Sequence, residues 1–266
     1  MRYSAYVVSG IAILLMGLSC SVHAAPYVET LQLTGGKSMK VLYDAPEHPT
    51  ATLVMLPGGT GRIGVAPDGH LRHSHEFTVR TRAEWVARGY AIVIPDTPNR
   101  MNLRGYRRTS DYAQALAVLL EYVRQQSSRP IFLIGASQGS IAAINAAAHV
   151  PGVTGIVLAE AVSVNGHSGE TVFDASPGDV RVPVLIVANK KDRCWVAPSS
   201  NASRVADALH RSTSVQIFTV DGGQQSAARA CSAFSPHGYN GIETEVIEGI
   251  QHWIEQHKAI NAHSEV

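Results

Sequence analysis

The reading of the fold turns on residues 130–149, Pro130-Ile131-Phe132-Leu133-Ile134-Gly135-Ala136-Ser137-Gln138-Gly139-Ser140-Ile141-Ala142-Ala143-Ile144-Asn145-Ala146-Ala147-Ala148-His149. The stretch begins as a short continuous apolar run, the pattern of a strand buried on both faces. It breaks at Gly135-Ala136-Ser137-Gln138-Gly139 and continues into a segment expected to be helical, 138–149. Gly-x-Ser-x-Gly is a weak signal by itself in a chain with 23 glycines among 266 residues. The order strand, sharp turn, helix gives it weight, because a serine on a strained turn needs minimal side chains two residues away on each side. Ser137 is therefore the candidate nucleophile. The helix that follows directs its positive end toward the place where an oxyanion would form. The competing reading is an ordinary strand-to-helix turn in which Ser137 only caps the helix. A phosphate-binding reading of this turn is poorer: no Gly-x-x-x-x-Gly-Lys-Ser/Thr loop occurs in the chain.

Outward from this turn the same alternation repeats. Two β-prone stretches, 28–33 and 39–43, flank Gly35-Gly36 and predict an N-terminal hairpin. Apolar runs at 51–56, 90–95, 153–159, 182–188 and 214–220 predict further strands, and segments 78–88, 110–126, 197–211 and 242–256 predict helices, with Thr109 or Ser110 as a cap. A hairpin followed by strand–helix units implies an α/β fold: a mostly parallel sheet of about eight strands with helices on both faces. Chemistry in such sheets collects at the carboxyl ends of the strands.

A serine hydroxyl needs a base, and the base needs a carboxylate to fix its tautomer. Asp192 follows the strand 182–188 and is the expected acid, with Glu160, after the preceding strand, in reserve. Among the twelve histidines, His237 in Ser235-Pro236-His237-Gly238-Tyr239 lies between the last strand and the last helix and is the expected base. Cys194 stands two residues after Asp192 and Cys231 six before His237. A disulfide between them would tie the acid loop to the base loop and contribute about 4 kcal/mol in the chain-entropy model. The oxyanion needs two backbone donors. Gln138 supplies one, and the Pro57-Gly58-Gly59-Thr60-Gly61 loop supplies the other, through Gly59 or, in reserve, Thr60.

Composition narrows the class. With 45% hydrophobic and 16% charged residues the chain supports one sizeable core, residues 25–266 as a single domain. A formal net charge of +1 carries no footprint for nucleic acid or anionic lipid. Arg100, Arg104, Arg107 and Arg108 read as a solvated loop. His70, His73 and His75 lack metal-ligand spacing, so neither a metal nor another cofactor is expected. Arg2, an apolar run from Val7 to Leu18 and the small residues before Ala25 read as a signal peptide, 1–24, cleaved after Ala24. An uncleaved anchor and lipidation at Cys20 are the alternatives. Export to the periplasm or beyond, with no stable membrane insertion after cleavage, is the expectation, and it suits a disulfide.

Ser137, Asp192 and His237 stand in the chain order nucleophile, acid, base, and in this the chain resembles the α/β-hydrolase superfamily over nearly all of residues 25–266. Its layout is most similar to exported bacterial hydrolases of dienelactone-hydrolase or carboxylesterase character. The loop Leu56-Pro57-Gly58-Gly59 departs from the superfamily pattern, with Pro57 where His-Gly is common. The short segment 160–181 leaves no room for a helical lid, which implies an open pocket walled by the loop 58–77. The resemblance implies hydrolysis of a small-molecule carboxylic ester through an acyl-enzyme. Amides, thioesters or lactones under the same machinery, and a non-catalytic envelope-binding protein, are the alternatives.

Overall fold

A computed structural model of the protein describes residues 25–258. The expected signal peptide and its cleavage site, together with Cys20, lie outside the described residues.

Eight strands form one sheet in the order β1-β2-β4-β3-β5-β6-β7-β8. β1 (Tyr27–Gln32) and β2 (Ser38–Asp44) make the expected hairpin, antiparallel from Tyr27 opposite Tyr43 to Gln32 opposite Ser38. β2 pairs antiparallel with β4 (Ala91–Pro95), and every later pairing is parallel, through β3 (Thr52–Leu56), β5 (Ile131–Ala136), β6 (Gly155–Ala159), β7 (Val184–Asn189) and β8 (Val215–Val220). This is the α/β-hydrolase fold.

The central strands are buried along their whole length, and the period of two sends alternate side chains to opposite faces. Val54, Leu56 and Leu133 belong to a core shared with α3 (Ser110–Gln126), α4 (Gly139–His149) and α5 (Ala202–Ala208). Leu53, Met55, Phe132 and Ile134 face a second core built with α1 (Phe77–Arg80), α2 (Arg82–Ala87) and α6 (Glu243–His257). Continuous apolar runs thus arise because helices cover both sides of the sheet.

Two helices depart from expectation. The single helix 78–88 is two short ones, broken where the Thr81 hydroxyl donates back to the Phe77 carbonyl at 2.7 Å and the backbone takes ψ near 0°. The helix 197–211 shrinks to α5, because Pro198 keeps extended backbone and a single 3-10 turn, Ser199–Asn201, precedes the first α-helical residue. Thr109 caps α3, accepting from the Tyr112 amide.

Going from β3 to β4 the chain moves one way along the sheet, and from β4 it crosses back over β3 to β5. The reversal leaves a crevice at the carboxyl ends of β3 and β5. The Pro57–Gly61 loop and the Ser137 turn flank that crevice.

Candidate active site

Ser137 leaves β5 with φ of +53°, a left-handed conformation that non-glycine residues adopt only where the surroundings force it. Its amide donates to the Ala159 carbonyl at 2.8 Å, fixing the turn to the end of β6. The two flanking glycines are a steric requirement: a Cβ on Gly135 would overlap the Gly139 carbonyl, and one on Gly139 would overlap the carbonyl of Leu56. Ser137 thus sits between β5 and α4 with the β3 loop pressed against it.

His237 and Asp192 come together from loops 45 residues apart, with Asp192 Oδ2 2.7 Å from His237 Nδ1. Both side chains are buried, at 6% and 0% exposure for His237 and Asp192, so solvent does not screen the pair. Asp192 Oδ1 accepts from the Cys194 amide at 2.7 Å. Cys194 and Cys231 form the expected disulfide. On the base loop the Ser235 hydroxyl donates to the carbonyls of Ala230 at 2.6 Å and Ser232 at 2.8 Å and accepts from the His237 amide. Glu160, the reserve acid, lies beside Asp192, and it is Asp192 that takes the hydrogen bond of His237 Nδ1. Ser137 and His237 line one cavity of about 360 Å³, with Gly58, Gly59, Thr60, Ile63, Phe77 and Ala233 among its walls.

The arginine reading needs correction. Arg100, Arg104 and Arg108 are exposed, but Arg107 is only 1% exposed. Its guanidinium reaches under the β3 loop, Nη2 donating to the carbonyls of Pro57 at 3.0 Å and Gly58 at 3.4 Å, and Nη1 to the Gly59 carbonyl at 3.0 Å and Gln138 Oε1 at 3.2 Å. The planar fork of five donors suits this task as an ammonium would not. Burial pushes the Arg107 pKa down from its ordinary value, against the pull of Tyr112 and Glu170. Glu170 accepts from the amides of Gly105 and Arg108, and Asn145 of α4 donates to the carbonyls of Arg107 and Thr109, so the turn carrying Arg107 is itself held from two sides. Burial raises the Glu170 pKa.

In a trans peptide the carbonyl and the following N–H point in opposite directions. Three carbonyls turned toward Arg107 therefore turn the amides of Gly58, Gly59 and Thr60 the other way. The Gly58 amide faces the carboxyl of Glu76, whose pKa burial raises despite that contact. The amides of Gly59 and Thr60, and that of Gln138 at the start of α4, donate to no group among the described residues.

Other residues that sequence reasoning passed over also position the site. Asn189, at the end of β7, donates to the carbonyls of Gly222 and Pro236, both at 2.9 Å, linking the strand before Asp192 to the loop that carries His237. Arg80 of α1 donates to the Gly238 carbonyl and pairs with Glu243 of α6 at 2.8 Å. Neither lies near its partners in sequence, and no local motif marks them. His73 and His75 line the cavity, and the His75 ring packs on Phe234 at 5.1 Å. Among the described residues, the one cluster with metal-ligand spacing is Glu160, Asp192 and His237, where the His237–Asp192 hydrogen bond already occupies Nδ1. No described helix is long and apolar enough to cross a membrane.

No protein-family model matches the chain, and no curated protein matches its sequence. Solved structures do match. An esterase of Pyrococcus furiosus superposes with a TM-score of 0.60 at 13% identity, over 88% of this chain and 91% of its own. A dienelactone hydrolase of Anabaena variabilis matches with a TM-score of 0.60 at 16% identity, over 88% and 100%. Est1E of Butyrivibrio proteoclasticus matches with a TM-score of 0.59 at 14% identity, over 88% and 99%. At these identities the likeness is one of fold.

Proposed function

We propose that the protein is a serine hydrolase acting on small carboxylic esters, with Ser137 as nucleophile, His237 as base and Asp192 as the acid that orients it. The observation that carries this reading is the buried 2.7 Å hydrogen bond between His237 Nδ1 and Asp192 Oδ2, made at a strand end beside the cavity that a strained Ser137 also lines. With Nδ1 held by Asp192, the lone pair of the neutral ring is on Nε2, the atom free to accept a proton.

Ser137 Oγ attacks the ester carbonyl carbon while Nε2 takes its proton. Negative charge moves to the carbonyl oxygen, where the Gln138 amide and that of Gly59 or Thr60 receive it. Collapse of the tetrahedral species breaks the C–O bond, and Nε2 returns the proton to the departing alcohol. Water then attacks the acyl-serine by the same route, releasing the acid and restoring Ser137. The largely apolar walls and small volume of the cavity favour a short acyl or alcohol group. The esterase and dienelactone hydrolase among the structural neighbours accord with this chemistry. The disulfide accords with export to an oxidising compartment, which belongs to the same proposal.

The test is labelling by a fluorophosphonate probe together with hydrolysis of short-chain esters. Wild type labels and turns over. Ser137→Ala loses the label and drops kcat by up to about a millionfold, the loss expected when a nucleophile of a triad is removed. Equal labelling in the two proteins removes Ser137 from the mechanism, and a folded wild type that neither labels nor hydrolyses any ester points to a binding protein on this fold.

A further inference from the structure

The proposed reaction uses one acid, yet the strand ends present two. Glu160 closes β6 with a side chain almost wholly buried, at 3% exposure. Its amide donates to the Val187 carbonyl at 3.0 Å and its φ is +47°, so its backbone is held in a conformation costing about 1 kcal/mol or more for a residue with a Cβ. An oxygen of Glu160, an oxygen of Asp192 and a ring nitrogen of His237 all lie within 4.8 Å of one another. The rest of the surroundings are neutral: the Asn189 amide and the Tyr239 hydroxyl face the Glu160 carboxyl, and that hydroxyl bonds the Val187 carbonyl at 3.1 Å. Lys190 and Lys191, next to the acid loop, extend outward toward Asp221, and Arg193 is exposed.

The charge balance follows from this list. His237 is the one group in this cluster that could carry positive charge, and as the imidazolium of the proposed reaction it would balance one carboxylate and not two. Two ionised carboxyls would leave a buried negative charge without a counter-ion, at a cost of several kcal/mol. A single shared proton removes that cost. Burial first, and the adjacent Asp192 second, push the Glu160 pKa well above the ordinary carboxylate range. Glu160 Oε1 is buried with no hydrogen-bond partner among the described residues when both carboxyls are treated as acceptors.

We propose that Glu160 is a positioning residue for the triad: a neutral carboxylic acid whose O–H donates to the Asp192 carboxylate and holds it on His237. The proposal rests on the Ser137–His237–Asp192 reading. Asp192 then has three donors, the Cys194 amide on Oδ1, His237 Nδ1 on Oδ2 and the Glu160 hydroxyl, and it cannot turn away from the ring. Glu160 keeps its proton throughout the reaction and touches no reacting atom. The arrangement divides two roles between two like groups by environment, one kept ionised to orient a base and the other kept neutral to donate.

The test uses the full chain with its disulfide intact and the variants Glu160→Gln and Glu160→Leu. Difference infrared spectroscopy at about pH 8 reads the proton directly, because a neutral carboxyl has a C=O stretch well separated from that of a carboxylate. The band is expected in wild type and absent in Glu160→Gln. Gln still donates, so kcat stays within about threefold of wild type and the acid limb of kcat/KM moves by less than about 0.3 pH unit. Leu does not donate, so kcat falls about 10- to 100-fold with little change in KM. The proposal is overturned if the infrared band is missing in wild type. It is equally overturned if the Gln variant moves the acid limb down by about one unit, as loss of an ionised neighbour would, or if the Leu variant turns over like wild type. Should the Leu variant fail to fold, the band and the Gln profile still decide. The infrared readout does not depend on turnover, so an active Ser137→Ala enzyme would remove the triad reading while leaving the state of Glu160 measurable.

Discussion

Arg107 Nη1 donates to the Gly59 carbonyl at 3.0 Å, and this bond sets the direction of the Thr60 amide on the far side of the same peptide plane. With the bonds to Pro57 and Gly58 it holds the loop as a row of carbonyls turned inward and amides turned outward. A buried guanidinium behind the loop also places positive charge near the oxyanion of the proposed reaction. Arg107→Met is expected to lower kcat about 100-fold or more, the scale of losing an oxyanion donor, with a smaller change in KM. Arg107→Lys recovers only part of the loss, because an ammonium cannot span three carbonyls. Steady-state kinetics on folded variants check this, and a wild-type kcat in Arg107→Met would refute it.

The glycines around the nucleophile permit a stability test. Gly139→Ala drives a methyl into the Leu56 carbonyl, a backbone atom that cannot move without displacing β3. A loss of about 3 kcal/mol or more is expected, or failure to fold. Urea unfolding with an unchanged midpoint would contradict this close packing of the strand and the turn.

The disulfide joins positions 37 residues apart and has Asp192 near one end and His237 near the other. Replacing both cysteines with alanine is expected to cost about 4 kcal/mol and to lower kcat further than KM changes, as the acid and base loops lose register. Denaturation midpoints and kinetics on the double variant test the two parts separately.

Buried Glu160 gives stability a pH dependence with a definite sign. Its folded-state pKa is raised, so between the ordinary glutamate range and that raised value the folded chain binds more protons than the unfolded one. Stability therefore falls as pH rises through this window, and the Glu160→Gln variant loses that component of the slope. Urea unfolding at about pH 5 and pH 8 measures it, and parallel profiles for the two proteins would contradict the raised value.

Export predicts a processed N-terminus. Mass spectrometry of the chain expressed in a secreting host is expected to show a first residue of Ala25. A lipid-modified Cys20 or a retained residue 1–24 segment would place the protein at the membrane instead.

Much of this molecule is local enough to be read along the chain. Strands buried on both faces announce themselves as unbroken apolar runs, α3 by its spacing and cap, and Ser137 by glycines whose missing side chains the fold has to have. Chain order brought Asp192 and His237 forward because both follow predicted strands, and the cysteines beside them pointed to one another for the same reason. What lay beyond reach depends on contacts between distant segments. Arg107 reads as one more cation in a polar loop, and only the packing of its side chain against the loop after β3 buries it and makes it a brace for the Pro57–Gly59 carbonyls. Asn189 and Arg80 acquire their roles from carbonyls at 236 and 238. Position along the chain puts Glu160 in reserve behind Asp192, whereas the tertiary structure sets the two carboxyls side by side. Sequence order determines which chemical groups arrive at the crevice; burial and long-range packing decide which of them carry charge, which lose it, and which hold the others in place.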